Sequence, residues 1–338
     1  MTSSWTLKPG QGIGSLQLKT TTQRPVGKGE VRIAIKANSI NARDIMAAMG
    51  QSPMPLGDEI IPLSDGAGIV EEIGEGVSRV AIGDRVVITF NPAHQSGPFE
   101  SHMAMSALGE IRSGVLASDV VIEEMAVVKL ADSISFEQAA CLPCVAVTAW
   151  NALFESGPLT PGQTVLATGT GTVSLTAMLL AKAAGARFGI TSSDDAKISV
   201  AKELGADFGI NYHQRPDWDL AVRELTAGVG ADVVLETAGP PSIATSIKAA
   251  AQGGRVMQIG FKGFDGPPIN VLDLLVGGVT VIPVMVGSRV MLERVLRAVE
   301  VNQIEIPIHA RFRFEESPRA FESFMSGRSF GKTIISAA

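Results

Sequence analysis

The stretch TVLATGTGTVSLTAMLLAK, residues Thr164–Lys182, decides the fold. A short apolar run, Thr164 to Ala167, meets a glycine-rich turn, Gly169-Thr170-Gly171. A long Ala/Leu/Met run, Val173 to Ala184, then stops at Gly185. Strand, tight turn and buried helix is the order that points a helix N-terminus, with its free N–H groups, at a pyrophosphate. The spacing is G-x-G-x-x-Ser, with Ser174 where a third glycine is expected. A glycine pair also suits an ordinary buried strand–helix turn, so the surrounding sequence has to decide.

Downstream the chain alternates strands with helices. Strand one is Thr164–Thr168; strand two, Arg187–Thr191, leads to a helix at Asp194–Leu204 closed by Gly205. Strand three is Asp207–Asn211, followed by a polar helix near Trp218–Thr226. Strand four, Ala231–Glu236, is nearly all apolar, as a strand covered on both faces should be. A helix at Ser242–Ala251 ending at Gly253, strand five at Arg255–Ile259 and strand six at Val279–Val284 complete the rhythm. This is a doubly wound parallel sheet, and it supplies the context that the glycine turn requires. Upstream, Ser135–Ala140 reads as a helix start with Ser133 as its cap.

Residues 1–128 follow a different grammar, rich in β-branched residues, Gly and Pro. Short apolar runs at Val31–Ala37, Gly68–Ile73, Arg85–Phe90 and Val121–Leu130 are separated by turn signals, which predicts an all-β, barrel-like domain. Ser288 to Val301 reads as an amphipathic helix returning the chain to that domain, with a final strand at Thr333–Ser336. The expected domains are 1–128 with 289–338, and 129–288.

Bulk properties narrow the function. The 338 residues have room for two domains, and 46% apolar content excludes a disordered chain. Net charge is −6 with no basic block, which argues against nucleic-acid and membrane-surface partners. The N-terminus MTSSWTLKPG lacks an apolar leader core, and no uncharged run reaches membrane-spanning length, so a soluble, cytoplasmic chain is expected. The two cysteines, Cys141 and Cys144, are too few for a disulfide framework. Their C-x-x-C spacing could make a redox pair, but the hydrophobic run around them favours buried packing.

Several motifs carry a resemblance. Ala37-Asn38-Ser39-Ile40-Asn41-Ala42-Arg43-Asp44, Asp65-Gly66-Ala67-Gly68-Ile69-Val70 and Ile82-Gly83-Asp84-Arg85-Val86-Val87 stand in the order seen in the medium-chain dehydrogenase/reductase superfamily. So do Leu142-Pro143-Cys144-Val145-Ala146-Val147-Thr148-Ala149-Trp150 and Phe330-Gly331-Lys332. The chain most resembles the zinc-independent quinone oxidoreductases. The resemblance implies a Rossmann dinucleotide-binding domain joined to a GroES-like β-barrel catalytic domain. Zinc-dependent relatives carry a Cys, a His with an adjacent Glu, and a later Cys where this chain has Asn41, Ser64 with Asp65, and Cys144. One thiol cannot make a three-ligand catalytic site, so no metal is expected. The cysteine cluster of the family's structural zinc lobe is missing from Asn91–Ser118, and His94 and His102 there read as loop residues.

The end of strand two bears on the cofactor. An acid there binds the ribose 2′-hydroxyl of NAD. This chain has Thr191-Ser192-Ser193, with Lys197 one turn on, which suits a 2′-phosphate; Asp194 and Asp195 read as helix-capping acids. Lys197 also suits a solvated helix face. By resemblance Lys197 and Tyr212 face the 2′-phosphate, so NADPH is the expected cofactor. Its diphosphate would lie on Gly169, Gly171, Thr172 and Val173. The backbone near Gly260, Phe261 and the Val284–Gly287 loop, together with Thr148 and Lys332, would complete the site.

Few groups remain for chemistry. Tyr212 is the one tyrosine, already placed at the cofactor, which excludes a tyrosine proton donor. Arg43 suits an oxyanion or a structural salt bridge. Asn41 is the candidate catalytic residue, through its amide donor, although an Asn can also hold a turn with its own backbone. Ala42 stands where relatives have an aromatic residue, which widens the site. Hydride transfer from NADPH to a quinone or activated enone asks least of the protein. Alternatives are a zinc-free aldehyde/alcohol or enoyl-thioester oxidoreductase and a non-catalytic NADPH-binding protein. The pocket would be shaped by loops Pro92–Ser118 and Phe261–Asn270. A homodimer paired along strand six is expected, because an exposed strand edge invites pairing.

Overall fold

The computed structural model describes every residue except Pro53, Pro55, Lys262, Phe264 and Ala338. The expectation that Phe261–Asn270 shapes the pocket therefore falls partly outside the described residues. In chain order the first elements are β1 (Thr2–Thr6), β2 (Gln17–Thr21), β3 (Glu30–Ser39), α1 (Ala42–Ala48), β4 (Asp65–Ile73) and β5 (Arg85–Ile88). Next come β6 (Asp119–Glu123), β7 (Val127–Lys129), α2 (Phe136–Ala140) and α3 (Val147–Trp150). The parallel-sheet region supplies β8 (Thr164–Thr168), α4 (Thr172–Ala183), β9 (Arg187–Ser192), α5 (Asp195–Glu203), β10 (Phe208–Asn211) and α6 (Trp218–Leu225). It continues with β11 (Ala231–Glu236), α7 (Ile243–Ala249), β12 (Ala250–Gln258), α8 (Val271–Gly277) and β13 (Thr280–Pro283). The chain ends with α9 (Arg289–Asn302), β14 (Ile308–Arg313), α10 (Ser317–Met325) and β15 (Lys332–Ser336). No helix among the described residues is long and apolar enough to cross a membrane.

Two compact units form, Met1–Val147 with Val286–Ala338, and Thr148–Met285. In the first, the GroES-like unit, a seven-stranded sheet runs β14-β15-β3-β4-β5-β7, with β6 also paired to β3. β3 is its spine. Its first half lies between β4 and β6, and its last residues, Ala37 to Ser39, pair with β15. Register shifts at Arg32/Ile33 and Ile35/Ala37 bend it, as bulges do, so that one strand serves three partners. The core beneath holds Trp5, Ile33, Ile35, Val70, Ile88, Leu116 and Phe321. α2 packs on β3 and β4, which is why its residues belong to this unit. Its cap is Ser135, whose Oγ accepts from the Gln138 N–H at 3.2 Å; Ser133, the expected cap, instead bonds Glu300. The single run expected at Val121–Leu130 is broken by a turn at Glu124–Ala126, so that β6 pairs β3 while β7 pairs β5.

The second, Rossmann unit is a six-stranded parallel sheet in the order β10-β9-β8-β11-β12-β13. Its strand order reverses between β8 and β11, and ligands lie outside the carboxyl ends of strands at such a point. Leu166, Phe208, Trp218, Val234, Ile247 and Val256 fill one of its cores. The expected Ser242–Ala251 helix is shorter, and strand five begins earlier. Ala250 already pairs with Ala231, and a register shift carries the chain through Gly253-Gly254 into the regular ladder.

Candidate functional site

The candidate dinucleotide site lies in the second unit. Gly169 ends β8 with φ +98°, a conformation that L side chains avoid, and its N–H donates to Thr191 Oγ1 at 3.2 Å. Gly171 is the N-cap of α4 and supplies no side chain, and no acid sits in the first turn. The amides of Thr172 and Val173 thus head a helix N-terminus without a capping group, which suits an anion. Ser174 is fully buried and bonds Thr237 Oγ1 at 3.2 Å, and that hydroxyl donates to the Thr168 carbonyl. The hydroxyl that replaces the third glycine therefore has a partner across the sheet.

The strand ends here are joined through Glu236, which the sequence reading noted only as the end of strand four. Its carboxylate is fully buried at the carboxyl end of β11. Oε1 accepts from Thr168 Oγ1 at 2.9 Å, the Ala238 and Gly239 N–H groups at 2.9 and 2.8 Å, and Ser242 Oγ at 2.8 Å. Oε2 accepts from Ser246 Oγ. The same knot sets the next strand end, because Gly260 donates its N–H to the Glu236 carbonyl at 2.8 Å, with Phe261 half-exposed beside it. The signal in the sequence was an acid following the apolar run Val233 to Leu235 at the end of the strand.

At the next strand ends, β9 and β10 pair Ser192 with Asn211, and the Tyr212 N–H donates to the Ser192 carbonyl at 3.0 Å. Ser192, Ser193 and Tyr212 are thus neighbours, and Lys197 lies in the first turn of α5. Both nearby acids are employed by the fold. Asp194 caps α5 by accepting from the Ala196 and Lys197 N–H groups. Asp195 accepts from Asn211 Nδ2 at 2.9 Å and Gln214 Nε2 at 2.6 Å. Thr148, at the start of this unit, is buried.

A buried polar cluster lies in the first unit. Asn41 caps α1, where its N–H donates to Asp44 Oδ2 at 2.7 Å. Lys332 opens β15 with no exposed surface, and its ammonium donates to Asn41 Oδ1 at 2.7 Å. Its countercharge is Asp65 Oδ2 at 3.6 Å. Asp65 also accepts from Ser64 Oγ at 2.8 Å and from the Cys144 N–H at 3.3 Å, the latter presented by a π-helical turn at Leu142–Ala146. Arg43 is spent on Glu110, on Asp44 at 3.6 Å, on the Leu108 carbonyl at 2.7 Å and on the Phe90 ring at 4.6 Å, so it forms a structural salt bridge. His94 is buried in its loop with Nε2 at 3.0 Å from the Gly97 carbonyl; His102 is exposed beside Glu100.

This donor set does not fit a catalytic zinc. Asn41 offers an oxygen already engaged by an ammonium, Ser64 gives its proton to Asp65, and Lys332 places a fixed positive charge against both Asn41 and Asp65. Burial pushes the Cys144 thiol well above the usual range and the Cys141 thiol up to about 12, so neither is a ready thiolate. Among the described residues no group of three or more His, Cys, Asp or Glu could hold a metal ion.

Asp44, fully buried, has a displaced titration. Burial raises it from 3.8 to about 7, outweighing the opposing pull of Arg43. Between those values the folded chain holds a proton that the unfolded chain has released, so stability falls as pH rises from about 4 through about 7 and then levels. Relative to Asp44→Asn, wild type should lose about 2–3 kcal/mol between pH 5 and pH 8. Urea denaturation at the two pH values measures this, and parallel losses in both proteins would refute the assignment.

Both units have counterparts among known proteins. Residues 27–132 match the family model of the alcohol dehydrogenase GroES-like domain, and residues 172–300 that of the zinc-binding dehydrogenase. A zinc-type alcohol dehydrogenase-like protein of Schizosaccharomyces pombe is 37% identical over 313 residues, covering 91% of this chain and 90% of the relative. The crystal structure of a Sinorhizobium meliloti protein assigned as an alcohol dehydrogenase superposes with a TM-score of 0.92 at 35% identity, covering 99% of this chain and 98% of the other. A Pseudomonas syringae quinone oxidoreductase gives 0.84 at 26% identity, covering 99% and 100%. The chain belongs to the medium-chain dehydrogenase/reductase superfamily, oxidoreductases that use a nicotinamide dinucleotide.

Proposed function

We propose that this protein is an NADPH-dependent reductase that passes a hydride to an electron-poor acceptor, a quinone or activated enone, without zinc. The observation that carries the reading is the buried cluster in which Lys332 engages Asn41 and Asp65: by resemblance Asn41 and Asp65 match positions near the zinc ligands of zinc-dependent relatives, and here Asn41 offers an amide donor instead. Bound to the second unit, the dinucleotide supplies the hydride. The acceptor takes up two electrons with it, and water gives the proton that completes a hydroquinone or a saturated ketone. The chain's own work is to hold the diphosphate on the amides of Gly171 to Val173 and to offer the acceptor oxygen a donor in Asn41. NADPH rather than NADH is supported by Ser192, Ser193, Lys197 and Tyr212 at adjoining strand ends, and by the capping and loop duties of Asp194 and Asp195.

Initial rates across a panel of quinones, enones, aldehydes and alcohols test the reading. Turnover is expected with quinones and enones, with an NADPH KM roughly tenfold or more below that of NADH and a rise in the former on Lys197→Ala. A clear NADH preference would overturn the cofactor assignment. Turnover confined to alcohols or aldehydes, or binding of NADPH with no consumption, would overturn the acceptor assignment.

We also propose a homodimer paired along β13. It is the edge strand of its sheet, and the neighbouring α8 leaves Val271, Leu272, Leu275 and Val276 each more than 60% exposed. Sedimentation should give the mass of two chains; a monomer at micromolar concentration would remove the proposal. The sequence has two cysteines, too few for a disulfide framework, which suits a reducing compartment, and we place the protein in the cytoplasm.

A further inference from the structure

We infer that Lys332 is a positioning residue, which fixes the Asn41 amide so that its NH2 group donates to the carbonyl oxygen of the acceptor. The inference rests on the proposed reduction of a carbonyl-bearing acceptor and adds to it the residue that makes Asn41 a donor. An ammonium has three donors and no acceptor, so it can meet only the oxygen end of an asparagine. Lys332 Nζ lies 2.7 Å from Asn41 Oδ1, and the NH2 is therefore turned to the opposite side. There Nδ2 is buried and has no hydrogen-bond partner among the described residues, while Asn41 as a whole is 5% exposed. A buried donor left unmet is costly, and buried polar groups are nearly always paired, so this one points to an acceptor brought by a ligand.

The geometry behind Lys332 serves the same end. Gly331 has φ +113°, and a Cβ there would come within 2.4 Å of the Pro307 carbonyl, so a glycine is required to let β15 start against that segment. The Lys332 N–H bonds the same carbonyl at 2.8 Å, and the Ile40 N–H bonds the Thr333 carbonyl at 3.1 Å. Asn41 and Lys332 are thus held at adjoining positions of paired backbone. Asn41's own N–H is fixed to Asp44, so neither its backbone nor its oxygen is free to turn. Stability alone does not account for a lysine–aspartate pair with 0% exposure on both side chains, because apolar residues of similar size usually serve as well or better. A positive charge on the amide oxygen also polarises the group and strengthens the donor at its far end.

The test is a cycle of Asn41→Ala, Lys332→Met and the double variant, with Asn41→Asp as a variant that keeps the ammonium paired and folded but has no NH2. Asn41→Asp should lower kcat roughly 100-fold, the usual effect of removing one such donor. Lys332→Met should lower kcat at least tenfold with the Kd for NADPH, read by fluorescence, changed less than threefold. The double variant should be no slower than Asn41→Ala within twofold. Losses that multiply would show that Lys332 acts independently, and a tenfold rise in the NADPH Kd would make it a cofactor contact instead; either overturns the inference. A readout independent of turnover is the 15N spectrum of the Asn41 side-chain amide, assigned by its loss in Asn41→Asp. Wild type should show one sharp NH2 pair, broadened or doubled in Lys332→Met; identical spectra would overturn the inference even where no acceptor in the panel is reduced. Absence of turnover in wild type with the spectral change present would instead reject the proposed reaction and leave the positioning role in place.

Discussion

Replacing Glu236 with alanine should cost about 3–5 kcal/mol of stability and abolish tight dinucleotide binding together. The carboxylate sits at the carboxyl end of β11 with no exposed surface. It accepts from Thr168 Oγ1, two backbone N–H groups, Ser242 Oγ and Ser246 Oγ. Truncation leaves five donors facing a void, and each backbone amide that finds no water loses about 1–3 kcal/mol. The hydroxyls can rotate to other acceptors, which keeps the sum below the simple total. Binding should fail with stability because the same carboxylate shapes the turn Thr237–Gly239, and the Glu236 carbonyl holds the Gly260 N–H. Glu236→Gln should lose only about 1–2 kcal/mol, since one oxygen remains and the new NH2 can donate to a serine hydroxyl. Urea denaturation and NADPH titration of both variants measure this. A loss below about 1 kcal/mol in the alanine variant would show that the knot is not what holds the strand ends.

The parts of the molecule that could be read from sequence are those whose cause is local. Gly169 announced a turn because the backbone there, at φ +98°, needs glycine, and the apolar runs of β8 and β11 announced burial on both faces. Ser192 and Tyr212 lie side by side because neighbouring parallel strands end at the same edge. What could not be read depends on partners distant in the chain. Ser174 looked like a missing glycine until Thr237, 63 residues on, supplied its bond. Lys332 meets Asn41 across 291 residues, and nothing near either residue announces the other. Helix and strand limits failed where tertiary pairing overrode local preference. Ala250 and Ala251 are good helix formers, yet they extend because Ala231 pairs with Ala250. Val121–Leu130 reads as one strand, yet it is split because its two ends join different neighbours, β3 and β5.

Asp65→Ala should destabilise the first unit by about 3–5 kcal/mol, because it strands an ammonium with no exposed surface. The Ser64 hydroxyl and the Cys144 N–H lose their acceptor as well. Ser39 loses less, since its hydroxyl also bonds the Ala140 carbonyl at 2.7 Å. A second substitution separates the stranded charge from the lost hydrogen bonds. Adding Lys332→Met to Asp65→Ala removes the stranded charge and leaves the neutral donors unmet. If the charge dominates, the double variant should recover all but about 1–2 kcal/mol of the loss. If hydrogen bonding dominates, the two variants should unfold at the same urea concentration, and the view of Asp65 as a countercharge would be wrong. The recovered double variant should still reduce acceptors poorly, because stability would have been restored by discarding the group that orients Asn41. That separation of folding from turnover distinguishes a charge retained for chemistry from one retained for the fold.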